Sequence, residues 1–268
     1  MADNMGEQHP DGTKNISSGN LSSESATTTE PRVLKKQWGE YLLEFIMLFL
    51  AVFLGFVAEN IRESNIDKET ERVYMQNMLY DLQADTTIYS DYFSRTAVIY
   101  DLVDTIAVLI KKPARERNTS KLVYSARILT AKWRQITLVT RTYEEMKSSG
   151  HLRLIQNKEI SGKVSSYYNS LAVLDTYNNV GVIWSNNYAQ AMAKLFDGAA
   201  LLEIIKKKKK INLPDEAMIS EDKIAINQLL TSAGYFYGAI SLSNDVAANK
   251  KKDAQQLIEL IKKEYNLE

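Results

Sequence analysis

The sequence predicts an all-α protein, a single transmembrane helix continuing into an elongated antiparallel bundle of about four long helices. Three observations carry this. Tyr41 to Ala58 is apolar except for Glu44. The chain after it repeats apolar residues at steps of three and four. Only four Pro and eleven Gly interrupt 268 residues, so long helices are left unbroken. The expected organisation is a disordered tail over 1–33, an anchor with its flanks over 34–62, and a helical bundle domain over 63–268.

Residues 1–33 are rich in Ser, Thr, Asn and Gly and poor in large apolar groups. They cannot offset the entropy of ordering by burial, which predicts disorder. The eighteen positions from Tyr41 to Ala58 would cover ~27 Å as a helix, close to the ~30 Å hydrocarbon core. Trp38 and Tyr41 stand where an interfacial aromatic belt belongs. Phe56 occupies the place where signal cleavage needs a small residue, so an uncleaved anchor is expected. Arg32, Lys35 and Lys36 precede the span, and Arg62, Lys68 and Arg72 follow it. The basic count ties. We read the tail as cytoplasmic and the C-terminal domain as periplasmic, on a single-pass protein of the cell inner membrane.

Beyond the span, Met75, Met78, Leu82, Asp85, Tyr89, Tyr92, Thr96, Ile99, Val103, Ile106 and Ile110 form one seam of alternating three- and four-residue steps. Pro113 is placed to stop that helix. A second helix is expected over Thr119–Ile136 and breaks in the β-branched run QITLVTRT. Thr142 with Glu145 fits a capping box for a short insertion, and Gly150 fits a left-handed stop. Asn157 caps the next helix, expected to run through Leu171, Leu174, Tyr177, Trp184, Tyr188, Met192, Leu195 and Ala199 to Leu202, with a bend at Gly181. The run Lys206 to Lys210 either complements that helix's C-terminal dipole or meets anionic headgroups. Ser220 caps a last helix through Ile226, Leu230, Ala233, Tyr237 and Ile240 to Tyr265, its seam interrupted by Asn244 and Lys251.

Zero formal charge argues against a nucleic-acid partner. Without Cys there are no disulfides and no thiolate chemistry. His9 and His151 are the only histidines, and His151 reads as a helix-end residue. No phosphate loop, nucleophile elbow or metal motif is present in the sequence, so no enzyme and no cofactor is expected. Glu44 lies one turn inside the span and is either a headgroup-level carboxylate or an intramembrane contact. Asp85 and Thr96 interrupt the first seam, and a buried Asp needs a partner, for which Arg134, Arg141 and Arg153 are candidates. The group is either a polar layer that fixes helix register or the floor of an anionic-ligand pocket.

Two segments, EYLLEFIMLFLAVFLGFVAENIRES with ERVYMQNMLYDLQADTTIY, and TYEEMKSSGHLRLIQNKEISGKVSSYYN, together resemble a domain-of-unknown-function family of short single-pass membrane proteins of Bacteroidota. Glu44, Asn60, Tyr143, Glu144, Ser148, Ser149, Gly150, Leu154, Ile155, Asn157 and Tyr168 match its pattern, and Met146 replaces the usual Leu. The resemblance implies an N-terminal anchor followed by a helical domain and implies no activity. Two functions are therefore expected. One is a non-enzymatic, membrane-anchored scaffold or partner-binding protein of the envelope, either a homo-oligomer or bound to a membrane protein partner in the lipid bilayer. The other is an exported sensor domain that binds a small ligand and signals through a separate partner.

Overall fold

The computed structural model describes residues 38–207 and 211–267. The expected disordered tail, His9 and Lys208 to Lys210 lie outside them. Among the described residues the protein is all-helical, with seven α-helices: α1 (Trp38–Leu109), α2 (Thr119–Lys132), α3 (Arg141–Ser149), α4 (Lys158–Ser170), α5 (Ala172–Met192), α6 (Gly198–Lys207) and α7 (Lys223–Tyr265). The chain divides into two compact units, with the boundary between Val57 and Ala58.

In the first unit, the described part is the start of α1. It is long and apolar enough to cross a membrane, and every residue from Trp38 to Val57 is exposed. Glu44 lies within this stretch.

In the second unit, Ala58 to Glu69 remains exposed and burial starts at Glu71. The seam read from the sequence is the buried face of α1, with only Val103 half-exposed. Two apolar clusters form along it. One joins Met75 to Tyr92 with α3, α4 and the C-terminal half of α7. The other joins Ile99 to Ile110 with α2, α6 and the N-terminal half of α7. Contacts between α1 and α7 run in opposite order along the two helices: Glu71 meets Tyr265, Ser90 meets Lys251, Thr96 meets Asn244, and Tyr100 packs on Tyr237. At ~1.5 Å per residue, the 43 residues of α7 give the long seam of α1 a partner of ~65 Å.

Several boundaries differ from the expectation for physical reasons. Helix α2 stops at Lys132, and 133–140 is non-helical. The capping box at Thr142 does not form: Thr140 is the N-cap without a side-chain bond, and Thr142 turns to Asp81 of α1. Gly150 is left-handed at φ 74°, as its place after α3 requires. Asn157 caps α4, accepting from the amides of Glu159 and Ile160. The long helix expected after it is three helices, since the chain breaks at Leu171 and again between Met192 and Gly198. Asp197 accepts from the Ala200 amide and starts α6 in a new phase, which buries Ala200 and Ile204 and exposes Ala199 and Leu202. The cap of α7 is Asp222, which accepts from Ala225, while Ser220 accepts from the Asp222 amide. The early seam of α7 runs through Ala225, Leu229 and Phe236 instead of Ile226, Leu230 and Tyr237. Phe236 packs edge-on against Trp133 at 5.6 Å.

Helix α5 continues through Gly181, which is buried against the Trp133 indole; a Cβ there would lie 2.5 Å from the ring. The glycine admits the indole. Gly181→Ala is therefore expected to destabilise the unit by ~1–3 kcal/mol through overpacking. Gly162→Ala in α4 meets nothing within 4 Å and should stabilise by ~0.5–1 kcal/mol through helix propensity. Thermal melts of the two variants should move in opposite directions.

Candidate functional site

The segment from Trp133 to Gln156 links α2 to α4 across α1 and α5, and outside α3 and the 3-10 turn at His151–Leu154 its backbone N–H groups need partners from elsewhere. Side chains on α1 and α5 supply them. Asn178 of α5 brackets Ile136, its Oδ1 accepting from the Ile136 amide at 3.1 Å and its Nδ2 donating to the Ile136 carbonyl at 2.8 Å. Asp85 Oδ1 accepts from the Val139 amide at 2.8 Å. Asp81 Oδ2 accepts from the Thr142 amide at 3.2 Å and its hydroxyl at 2.5 Å. Glu71 Oε1 accepts from the Gln156 amide at 2.8 Å and the Tyr265 hydroxyl at 2.5 Å. All four of these side chains belong to buried residues. Hydrogen bonds to ionised acceptors are shorter and stronger than neutral ones, which suits amides with no helix bond to fall back on.

Asp85 is completely buried, as the seam requires, and its second oxygen accepts from the Tyr167 hydroxyl at 2.8 Å. Tyr167 in turn lies 3.4 Å from the Tyr89 hydroxyl. The arginine partner expected for Asp85 is not among its contacts. Arg141 pairs with Asp81 through Nε at 2.8 Å, its own side chain mostly exposed, so this pair contributes little beyond orientation. Arg134 and Arg153 are exposed and stand outside the cluster. Thr96 belongs to a different layer, donating to Asn244 Oδ1 at 3.1 Å while Asn244 Nδ2 donates to the Tyr100 hydroxyl at 3.0 Å. That layer falls between the two apolar clusters and accounts for Asn244 in the α7 seam. Lys251 is accounted for by its bond to Ser90. His151 follows the Gly150 turn, and its Nδ1 lies 3.0 Å from the Tyr74 hydroxyl, which also donates to Glu145.

Sequence reasoning found Asp85 and missed Asp81, Glu71 and Asn178. Each had a signal. Asp81 is four residues before Asp85, Glu71 extends the seam one step before Met75, and Asn178 is the four-residue step after Leu174. The buried cation Arg117 was also missed. It pairs with Glu221 at 2.5 Å and donates to the Lys112 carbonyl, tying the end of α1 to the entrance of α7.

Burial pushes the Asp85 carboxyl up to about 6, against the Val139 and Tyr167 hydrogen bonds that favour its charge, and the nearby Asp81 charge adds to the rise. Burial also raises the Tyr167 hydroxyl. Among the described residues no group of three or more His, Cys, Asp or Glu could hold a metal ion. Chemically the cluster is a set of acceptors filled by the chain's own donors.

Two outcomes follow from this geometry. Asp81→Ala strips acceptors from the buried Thr142 amide and hydroxyl and should cost ~1–3 kcal/mol in a denaturant melt. Asp85 has its folded pKa raised above the ordinary 3.8, so the stability it contributes is complete below that value and is lost as pH rises through about 6. Asn can accept from Val139 and bond Tyr167 without ionising. The stability of the parent relative to Asp85→Asn should accordingly fall between pH 4 and pH 7, by on the order of 3 kcal/mol. A difference that stays flat across this range contradicts the assignment.

No protein-family model, no curated protein and no solved structure matches the chain, so the arrangement of its own side chains is what bears on its role.

Proposed function

We propose that the chain is a non-enzymatic, membrane-anchored helical scaffold or partner-binding protein of the bacterial envelope. It is held by one span within residues 34–62 in the inner membrane, with the C-terminal unit in the periplasm. The observation that carries this reading is the stretch from Trp38 to Val57, whose large apolar side chains are exposed throughout. Such a surface is unstable in water and at home in hydrocarbon. The resemblance to single-pass proteins of Bacteroidota points the same way.

The second unit acts as a rigid bundle of long antiparallel helices. The opposed order of the α1 and α7 contacts supports this. The buried acids favour a structural polar layer over the floor of an anionic-ligand pocket. Asp81 and Asp85 are occupied by amides and hydroxyls, and two neighbouring carboxylates would repel an anion. A scaffold of this kind presents its outer helix faces to a second copy or to another membrane protein, and the lipid bilayer confines both to one plane.

The full-length protein is expected to stay with membranes through alkaline carbonate extraction, and deletion of 41–58 should release it as a soluble helical product. A protease added to spheroplasts should digest the C-terminal unit. Recovery of the full chain in the soluble fraction sinks the anchor, and protection of the C-terminal unit in spheroplasts reverses the orientation.

A further inference from the structure

Away from the buried acids, α5 and α7 enclose an open groove of about 580 Å³. This is within the ~300–1,000 Å³ typical of small-molecule sites. Its lining is chemically unusual for a protein in which a quarter of the residues are charged. Four carboxamides, Asn187 and Gln190 of α5 and Asn227 and Gln228 of α7, face it together with Trp184 and the Thr231 hydroxyl. No carboxylate lines it, and the one cation, Lys194, donates to Gln228 Oε1 at 2.8 Å. Among the described residues Gln228 is the only one of the four amides whose side chain is hydrogen-bonded within the chain.

Trp184 stacks on Tyr235 with ring centroids 4.3 Å apart and planes 10° from parallel. Tyr235 thus covers one face of the indole, Trp184 also packs against the apolar cluster beneath it, and what is left exposed of the side chain lines the groove. A held aromatic surface beside a row of amides has a definite chemical complement. Each carboxamide offers both donors and an acceptor, matching vicinal hydroxyls that themselves donate and accept. An aromatic face takes the apolar C–H face of a ring. The absence of carboxylates disfavours amines and metal cations, and a single lysine already bonded to an amide gives an anion little to hold.

We propose that the groove between α5 and α7 is a binding site for a neutral oligosaccharide, with Trp184 as the stacking platform and Asn187, Gln190, Asn227 and Gln228 as the hydroxyl-reading groups. The site is independent of the buried acids and of the anchor.

The test uses the full chain in lipid nanodiscs, which avoids sugar-headed detergents, titrated calorimetrically with chitotetraose and, separately, with cellotetraose. Saturable binding of at least one is expected, weakened about tenfold or more by Trp184→Ala and by Asn227→Ala. Gln255→Ala, on the exposed side of α7 well beyond the groove, should leave it unchanged, and all three variants should keep the helical circular dichroism of the parent. Binding of chitotetraose alone assigns the site to acetamido sugars, and equal binding of both assigns it to ring hydroxyls in general. Failure of both probes to bind the parent overturns the proposal, as does binding that Asn227→Ala and Trp184→Ala leave intact.

Discussion

The segment that passes across α1 and α5 between α2 and α4 leaves the amides of Ile136, Val139, Thr142 and Gln156 without helix bonds, two of them on buried residues, and the fold depends on how those amides are satisfied. Here the answer is a set of side chains on α1 and α5. Asn178 brackets Ile136, Asp85 takes Val139, Asp81 takes Thr142 and Glu71 takes Gln156. The three acids project from one helix, so α1 sets the register from Val139 to the start of α4. Each of these bonds is individually worth a few kcal/mol at most, but losing the acceptor leaves a buried donor, which is the costlier state.

The same constraint explains why the acids are buried at all. A carboxylate in an apolar seam is expensive, and the burial that raises Asp85 is the visible part of that cost. The hydrogen bonds from Val139 and Tyr167 offset part of it, and they also fix where the segment docks. Ala or Leu at these positions would fill space without telling the crossing segment where to stop. The layer of Thr96, Asn244 and Tyr100 repeats the principle between α1 and α7, at the junction of the two apolar clusters.

The helix types and the α1 seam were legible because a 3.6-residue period repeated over many turns leaves one consistent face. The Gly150 stop and the Asn157 cap were legible because each is decided locally. Caps and phase were lost where a competing local cap or a tertiary contact took over. Asp197 resets α6, Asp222 takes the cap expected of Ser220, and Asp81 replaces a capping box with an acceptor 61 residues away in sequence. Of the candidate site, Asp85 could be read because it breaks an apolar pattern. Its partners could not, since backbone amides leave no mark in a sequence, and the search for a cation led to Arg134 and Arg153, which stand in solvent. Gly181 reads as a bend in one dimension and as a seat for Trp133 in three.

The central claim is that α1 and α5 hold the crossing segment by its amides, and amide hydrogen exchange reads it most directly. The amides of Ile136, Val139, Thr142 and Gln156 lack helix bonds and should nonetheless exchange slowly. In Asp81→Ala, Thr142 should lose protection before the helix interiors do. Rapid exchange at all four amides in the parent would contradict the account.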